Sequence, residues 1–282
     1  MARGKSLHIG LNKVDPAHYS GWDGALNACE FDANDMKAIA DSRGFDSSIL
    51  LTSEATSDAV IQAIESAAEE LEPGDMFLVT YSGHGGQVPD KDDGDEPDRS
   101  DETWVAFDRE IVDDELYALW AKFKPGVRIV VLSDSCHSGS VTRRMDSDQV
   151  PNPVATKDSA AAQSPRFRAM PLDVQVATYR DHSDLYDGIQ KSTPDTDEAD
   201  VDATVLLISG CRDDQLSLDG FSNGLFTENL LGVWDKGGWS GGGYAEFHEA
   251  IRSRMPEEQQ PAYSRVGAEN PEFEQQGPFS VD

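Results

Sequence analysis

The hydrophobic residues of this chain are concentrated in short runs that recur along its length. The runs with the strongest strand character lie at 6–12, 47–52, 76–83, 127–135 and 203–211. They show little alternation between apolar and polar positions, as is typical of strands that are covered on both faces of a sheet. The pattern therefore predicts buried strands at these places.

The segments between these runs carry apolar residues at helical spacing. A helix is predicted over 24–41, and Thr56 or Ser57 is predicted to cap the next helix, which ends before Pro73. The same patterns predict further elements: a small hairpin in "TWVAF" and "REIV", helices at about 113–122, 224–234 and 244–254, and a last strand at 261–266.

This order of elements predicts an α/β fold. Strands that alternate with helices form a mostly parallel central sheet, here of about six strands, with helices on both faces. A chain of 282 residues can bury a sizeable core as one large domain, or as a domain with a smaller subdomain.

The pattern changes between residues 141 and 201. Basic and polar residues, prolines and alanines run together there, with one possible short helix at 172–188. We predict a long, mobile linker over 141–201, which separates an ordered segment at 1–140 from another at 202–282.

Composition limits the cellular setting. No window approaches eighteen consecutive apolar residues, and "MARGKSLHIGLN" lacks the apolar core of a secretion signal. The three cysteines, Cys29, Cys136 and Cys211, are an odd number at wide spacing, which argues against a disulfide framework and a structural zinc site. We expect a cytoplasmic protein with no membrane association.

The formal net charge of −30 argues against nucleic acid or an anionic membrane as a partner, because both would be repelled. Three interpretations of the acidic surface remain open. It keeps the protein soluble, as in a salt-rich cytoplasm; it binds divalent cations; or it attracts basic peptides.

Two chemically reactive residues follow predicted buried strands. His84 and Cys136 each lie just past a carboxyl end, where ligands bind in open parallel sheets, so adjacent strands would bring them to one rim. An imidazole can take the proton of a thiol and create a nucleophilic thiolate. The backbone N–H groups of Gly85 and Cys136 could then stabilise an oxyanion, so the pair predicts acyl transfer through a thioester.

Other interpretations of these residues stay open at this point. A single buried cysteine or histidine is more often structural than catalytic. His137 is a competing base, although adjacent residues of a strand point in opposite directions. A His/Cys metal site would use His84, Cys136 and His137, and it lacks an evident fourth ligand.

The segments "YSGHGGQ" (81–87) and "DSCHSGS" (134–140) resemble the catalytic segments of metacaspases and orthocaspases, which are caspase-like cysteine peptidases. Segments 21–36, 111–116 and 208–217 also resemble this family. The resemblance implies a single domain of caspase-like fold. Its large-subunit-like (p20) half would be 1–140, its intersubunit activation linker 141–201 and its small-subunit-like (p10) half 202–282.

The resemblance also implies a cysteine endopeptidase that cleaves after arginine or lysine. By position it assigns Asp32, Ser82 and Asp134 to the pocket for the basic side chain, called S1, and a guanidinium in such a pocket suits bidentate carboxylate partners. Substrates would be proteins or peptides with exposed Arg or Lys. The alternative function is a catalytically silent caspase-like binding module. The presence of both His84 and Cys136 argues against this alternative.

Many metacaspases need calcium, although the chemistry itself requires no cofactor. By position the resemblance assigns possible calcium ligands to Asp101, Asp113 and Asp114, and carboxylates suit this hard cation. A further family aspartate is replaced by Arg143, whose charge would weaken the site. The run "DKDDGDEPDRSDE" (90–102) lacks the spacing of an EF-hand.

The linker lies where this family is commonly cut. It carries six candidate processing sites: Arg143, Arg144, Arg166, Arg168, Arg180 and Lys191. We predict that the uncut linker restrains the active site and that cleavage, by the enzyme itself or by another protease, changes activity. The alternative is an insert without a regulatory role. The resemblance favours a monomer.

Overall fold

The computed structural model of the protein describes residues 2–90, 100–136, 166–193, 200–212 and 215–282. None of the helices in these ranges combines the length and the hydrophobicity that crossing a bilayer requires.

A six-stranded sheet forms the centre of the fold. Its strands are β1 (Gly4–Gly10), β2 (Asp46–Leu51), β3 (Met76–Ser82), β7 (Arg128–Asp134), β9 (Thr204–Ser209) and β11 (Ala262–Gly267). They lie in the order β11, β9, β7, β3, β1, β2, and only the edge pair β11–β9 is antiparallel. The predicted sheet of about six mostly parallel strands is confirmed, and the last strand is the one that departs from parallel.

Helices pack on both faces of this sheet, as predicted. The α-helices of the described ranges are α1 (Cys29–Ser42), α2 (Ser57–Glu70), α3 (Asp113–Trp120), α4 (Leu172–Ser192), α5 (Leu225–Trp234), α6 (Tyr244–Arg252) and α7 (Pro271–Gln275). One apolar core joins α2 and α3 to one face, and a second joins α1, α5 and α6 to the other. The chain is therefore a layered α/β domain.

Helix boundaries follow local hydrogen bonding. Thr56 caps α2, because its side chain accepts a hydrogen bond from the N–H of Ala59. Helix α1 begins at Cys29 instead of residue 24, since Asn12 Oδ1 accepts the N–H of Cys29 and Asp219 accepts the N–H of Ala28. These side chains hold the preceding residues in a loop, which periodicity alone could not show.

A small antiparallel sheet begins just after β3. It consists of β4 (Gly85–Pro89), β5 (Ser100–Val105) and β6 (Glu110–Val112). The predicted hairpin is β5 with β6. Strand β4 was not predicted, because "GGQVP" has almost none of the apolar and β-branched residues that mark a strand.

Residues 166–193 pack against the domain, although the sequence places them in the linker. Strand β8 (Arg166–Phe167) pairs with β10 (Leu218–Asp219), and the helix predicted at 172–188 is the longer α4. Tyr186 of α4 is buried in a cluster with Val88 and Val112. This part of the linker therefore differs from the predicted mobile excursion, while the division of the chain into two halves stays a prediction.

Candidate active site

His84 and Cys136 occupy equivalent places on neighbouring strands. Strands β3 and β7 run parallel in register, with Ser82 opposite Asp134. His84 and Cys136 each lie two residues beyond this pair, so both are at the carboxyl rim of the sheet. They are 5% and 0% exposed, respectively. The sheet itself brings together the two residues that the sequence singled out.

The surroundings of His84 favour a neutral imidazole. Its Nε2 lies 3.0 Å from the carbonyl oxygen of Gly24, and its ring centroid lies 4.7 Å from that of Trp22. Burial lowers the pKa of His84 to about 4, although the Gly24 carbonyl acts in the opposite direction. A carbonyl only accepts hydrogen bonds, so Nε2 carries the proton and Nδ1 is the basic nitrogen.

Nδ1 of His84 is buried and makes no hydrogen bond within the described part of the chain. An imidazole that is neutral, oriented through one nitrogen and unpartnered at the other can accept a proton at that second nitrogen. This is the state that the predicted base requires.

Arg168 crosses the rim with its carbonyl group held by two N–H donors. The oxygen accepts the N–H of Gly85 at 2.9 Å and the N–H of Cys136 at 3.1 Å. These are the two donors that the sequence suggested for an oxyanion. The structure brings both onto one carbonyl oxygen, and the residue that supplies this oxygen comes from the chain's own linker.

The backbone around Arg168 is extended like that of a bound peptide. Its N–H donates to the carbonyl oxygen of Ser217 at 3.0 Å, and the N–H of Met170 donates to the carbonyl oxygen of Gly85 at 2.8 Å. Phe167 lies opposite Leu218 in the antiparallel pair β8–β10. Main-chain pairing of this kind is how an extended peptide adds to a sheet edge.

The guanidinium of Arg168 is fully buried among carboxylates. Nη2 lies 2.7 Å from Asp32 and 3.2 Å from Asp219, and Nη1 lies 2.9 Å from Asp134. Nη1 also donates to Ser82 Oγ at 2.8 Å. The three residues assigned to S1 from the sequence therefore surround one arginine side chain.

Asp219 is the pocket residue that the sequence did not reveal. It lies in "LSLDG", with no apolar run or recognised motif around it. Its carboxylate also accepts the N–H groups of Asn27 and Ala28, at 2.8 and 3.2 Å. Its place in the pocket depends on the pairing of β10 with β8, which only the folded chain shows.

The carboxylates of the pocket are held by further donors. Asp32 accepts hydrogen bonds from Ser82 Oγ and from the N–H of Gly224, and Asp134 accepts from Ser217 Oγ and Thr227 Oγ1. These donors lower the cost of burying several negative charges together.

Burial nevertheless raises the pKa of Asp32 to about 6; the charge of Arg168 opposes this shift and that of Asp134 adds to it. Burial alone would lower the pKa of Arg168, but Asp134 and the other carboxylates raise it well above its usual range. The pocket is therefore built for a cation.

The possible calcium ligands do not form a cluster. Within the described ranges, no group of three or more His, Cys, Asp or Glu side chains is arranged to hold a metal ion. Asp101 accepts a hydrogen bond from Gln190 Nε2 at 2.5 Å, while Asp113 and Asp114 lie in the first turn of α3. The calcium requirement stays a prediction.

The candidate processing sites have different surroundings. Arg143 and Arg144, like His137, lie outside the described residues. Arg180 and Lys191 are exposed on α4. Arg166 lies in β8, where Nη1 donates to the carbonyl oxygen of Ala25 at 3.1 Å. Among the described candidates, only Arg168 places its carbonyl group on the two N–H donors.

The chain matches a known family over nearly its whole length. The family model described as "Caspase domain" matches residues 7–278. Metacaspase-1 of Emericella nidulans is 36% identical over 151 residues, which cover 48% of this chain and 36% of that protein. Metacaspase-1 of Kluyveromyces lactis is 29% identical over 247 residues, which cover 79% of this chain and 55% of that protein. The chain thus spans about a third to a half of the length of these relatives.

Two solved structures are similar to this chain. The crystal structure of protein GSU0716 from Geobacter sulfurreducens has a TM-score of 0.88 at 51% identity and covers 99% of each chain. Caspase-1 from Spodoptera frugiperda has a TM-score of 0.54 at 12% identity and covers 94% of this chain and 86% of its own. The second likeness concerns the fold alone.

Proposed function

Because this chain belongs to the caspase domain family, we propose that it is a cysteine endopeptidase that cleaves peptide bonds after arginine, with lysine as a poorer substrate. Cys136 would be the nucleophile and His84 the general base. The presence of both residues at the rim supports an enzyme over a silent binding module.

The position of Arg168 carries this proposal. One residue places its carbonyl oxygen on two N–H donors and its guanidinium among three carboxylates. An arginine of another protein has the same groups at the same separation, so it can make the same contacts once Arg168 has left. Guanidinium binds carboxylates through a planar fork, which an ammonium lacks, and this supports a preference for arginine over lysine.

The reaction would begin when His84 Nδ1 takes the proton of the Cys136 thiol. The thiolate then attacks the carbonyl carbon, and the resulting oxyanion is stabilised by the N–H groups of Gly85 and Cys136. The C–N bond breaks while the His84 imidazolium protonates the departing amine, which leaves a thioester. Water, deprotonated by His84, hydrolyses the thioester and restores the thiol.

The same contacts suggest how activity would be controlled. While Arg168 fills S1, a substrate arginine has no access to the carboxylates. We propose that the intact chain is latent and that cleavage between Arg168 and Ala169, by the enzyme itself or by another protease, frees the pocket.

Peptide substrates test the specificity. Fluorogenic peptides that differ only in Arg, Lys or Asp before the cleaved bond would be compared with and without calcium. We expect turnover after Arg to exceed turnover after Lys by about tenfold, with none after Asp or in Cys136→Ala. Turnover that persists in Cys136→Ala would contradict the mechanism, and turnover after Asp would contradict the pocket.

Mass spectrometry tests the processing site. The wild-type protein should yield fragments that end at Arg168 and begin at Ala169, while Cys136→Ala and Arg168→Gln should stay intact at this bond. Arg180→Gln is the matched control, because Arg180 is exposed on α4 and its substitution should leave the fragments unchanged. Identical intact masses for wild type and Cys136→Ala would rule out self-processing.

A further inference from the structure

Arg166 lies two residues before Arg168, and its side chain is also held at the rim. We infer that the cleft has a further specificity site, S3, which binds a basic side chain two residues before the cleaved arginine. The inference rests on the proposed function and deepens it, because it adds a substrate class: peptides of the form Arg-x-Arg that are cut after the second arginine. Asn27 is the specificity-determining residue of this site.

The side chain of Arg166 contacts two oxygen acceptors of one loop, residues 24–28. Its Nη1 donates to the carbonyl oxygen of Ala25 at 3.1 Å and to Oδ1 of Asn27 at 3.3 Å. A guanidinium carries only N–H donors, so a pair of oxygen acceptors suits it. The side chain is half-buried, and it can therefore keep part of its hydration while it makes both contacts.

The loop that supplies these oxygens is fixed by hydrogen bonds of its own N–H groups. Asp219 accepts the N–H groups of Asn27 and Ala28, at 2.8 and 3.2 Å. The carbonyl oxygen of Gly24 lies 3.0 Å from His84 Nε2. The loop therefore already serves S1 and the dyad, and its acceptors are in place before a substrate binds.

Strand pairing determines which residue of a substrate reaches S3. Arg166 lies opposite Asp219 in the antiparallel pair β8–β10, and the N–H of Arg168 donates to the carbonyl oxygen of Ser217 at 3.0 Å. Side chains alternate along an extended peptide, so the residues in S1 and S3 point to one side and the residue between them to the other. Any peptide with arginine in S1 can form the same main-chain bonds, and its side chain two positions earlier then reaches the two oxygens of S3.

The charge of the neighbouring pocket also favours a cation in S3. S1 contains three carboxylates around one guanidinium. Asp219 is one of these carboxylates, and it also lies opposite the residue that occupies S3. The negative charge that remains in S1 therefore attracts a second basic side chain, and a neutral side chain of the same shape would lack this attraction.

The cut that empties S1 also empties S3. Arg166 and Arg168 lie on the same side of the Arg168–Ala169 bond, so cleavage detaches both from α4 and leaves them on one chain end. That chain end can leave both sites together, while the loop and Asp219 stay in the domain. The processed wild-type enzyme therefore presents S1 and S3 to a substrate, and its preference at S3 can be measured directly.

The experiment compares two fluorogenic peptides, acetyl-Arg-Phe-Arg and acetyl-citrulline-Phe-Arg, with the fluorophore attached to the last arginine. Citrulline has the shape of arginine without its charge, and the order Arg-Phe-Arg is that of residues 166–168. Only a cut after the last arginine releases the fluorophore, so a cut after the first arginine gives no signal.

Four processed proteins would be used at equal active-site concentration: the wild type, Asn27→Asp, Asn27→Ala and the control Asn270→Asp. Asn270 caps α7, and aspartate caps a helix equally well. It follows the end of β11 that pairs with the first residue of β9, at the edge of the sheet opposite the dyad. The control therefore adds the same charge away from the cleft.

We expect the wild type to have a kcat/KM about fivefold higher for the arginine peptide than for the citrulline peptide, mainly through KM, because S3 touches no reacting atom. Asn27→Asp gives S3 a carboxylate and should raise this ratio at least about threefold further. Asn27→Ala removes one acceptor and should lower the ratio to about twofold; it tests the site alone if Asn27→Asp does not fold. Asn270→Asp should keep the wild-type ratio.

Equal kcat/KM values for the two peptides in the wild type would overturn S3 while leaving the proposed function intact. The same holds if the Asn27 variants that fold keep the wild-type ratio. Failure of every protein to cleave either peptide would overturn the proposed function itself.

Discussion

The S1 pocket and the site around Glu110 both bury carboxyl groups, but they differ in how the negative charge is treated. In S1, Asp32, Asp134 and Asp219 surround the guanidinium of Arg168. Glu110, which is 0% exposed, accepts a hydrogen bond from Thr103 Oγ1 at 2.9 Å. Its other oxygen has no partner within the described residues. Burial raises the pKa of Glu110 to about 7, although the hydrogen bond from Thr103 opposes this shift.

The difference shows two ways to accommodate a buried acid. A carboxyl group with no cation beside it keeps its proton, whereas a group of carboxylates can stay ionised around an arginine. The first arrangement is a structural feature that depends on pH. The second leaves more negative than positive charge in the pocket, so the carboxylates need either a cation or water in contact with them.

The largest expected effect on stability comes from removal of the Arg168 guanidinium. In a Cys136→Ala background, which keeps the chain intact, Arg168→Ala should lower the free energy of unfolding by about 4 kcal/mol, because it leaves buried carboxylates unpaired. Chemical denaturation would measure this loss. Arg180→Ala, at an exposed position on α4, should leave the value almost unchanged. Equal effects of the two substitutions would show that the carboxylates do not depend on Arg168.

The next effect concerns Glu110 and is visible as a pH dependence. Between about pH 4.5 and 7 the unfolded chain releases this proton while the folded chain keeps it, so stability falls as pH rises. Glu110→Gln carries no titrating group and should be more stable than the wild type by about 3 kcal/mol at pH 8. The difference should vanish near pH 4.

Unfolding curves at pH 4 and pH 8 would measure this difference in stability, with both proteins in the Cys136→Ala background. Glu69→Gln, a change at an exposed helix position, is the control and should leave the pH dependence unaltered. A Glu110→Gln protein that loses stability at both pH values would indicate that the ionised carboxylate has a partner.

The smallest effect separates binding from chemistry in S1. Asp219 contacts the guanidinium but no reacting atom, and asparagine keeps an oxygen for the N–H groups of the neighbouring loop. Asp219→Asn should therefore raise KM for an arginine peptide about tenfold and change kcat by less than about threefold. Steady-state kinetics would measure both constants, with the exposed Asp41→Asn as the control. A fall in kcat at unchanged KM would contradict a role limited to binding.

Much of the fold could be predicted because the central strands are marked by their own composition. The predicted runs at 76–83 and 127–135 became β3 and β7, which end at Ser82 and Asp134. His84 and Cys136 follow these ends by two residues each. This spacing is enough to predict that the two side chains lie at the same edge of the sheet. Strand β4 could not be predicted, because Val88 is the one β-branched residue among the five of Gly85–Pro89 that pair with β5.

The residues that form the pocket around Arg168 could be predicted only in part, and the reason is physical. Asp32 and Asp134 could be assigned because they belong to segments with a recognisable pattern. Asp219 and the choice of Arg168 among six candidate sites depend on contacts between residues far apart in sequence. Local composition contains no information about which linker residue pairs with β10, since that pairing is decided by the tertiary fold.

The cysteines of this chain are all buried, and Cys136, beneath the segment 166–171, is 0% exposed. An alkylating reagent therefore has no accessible sulfur to attack while the protein is fully folded and the cleft is closed. Cys29 is buried in the first turn of α1, and Cys211 belongs to the same buried cluster as Cys136. The rate at which Cys136 becomes labelled would measure how often the linker lifts from the active site, and so how often an uncut molecule is open to a passing peptide.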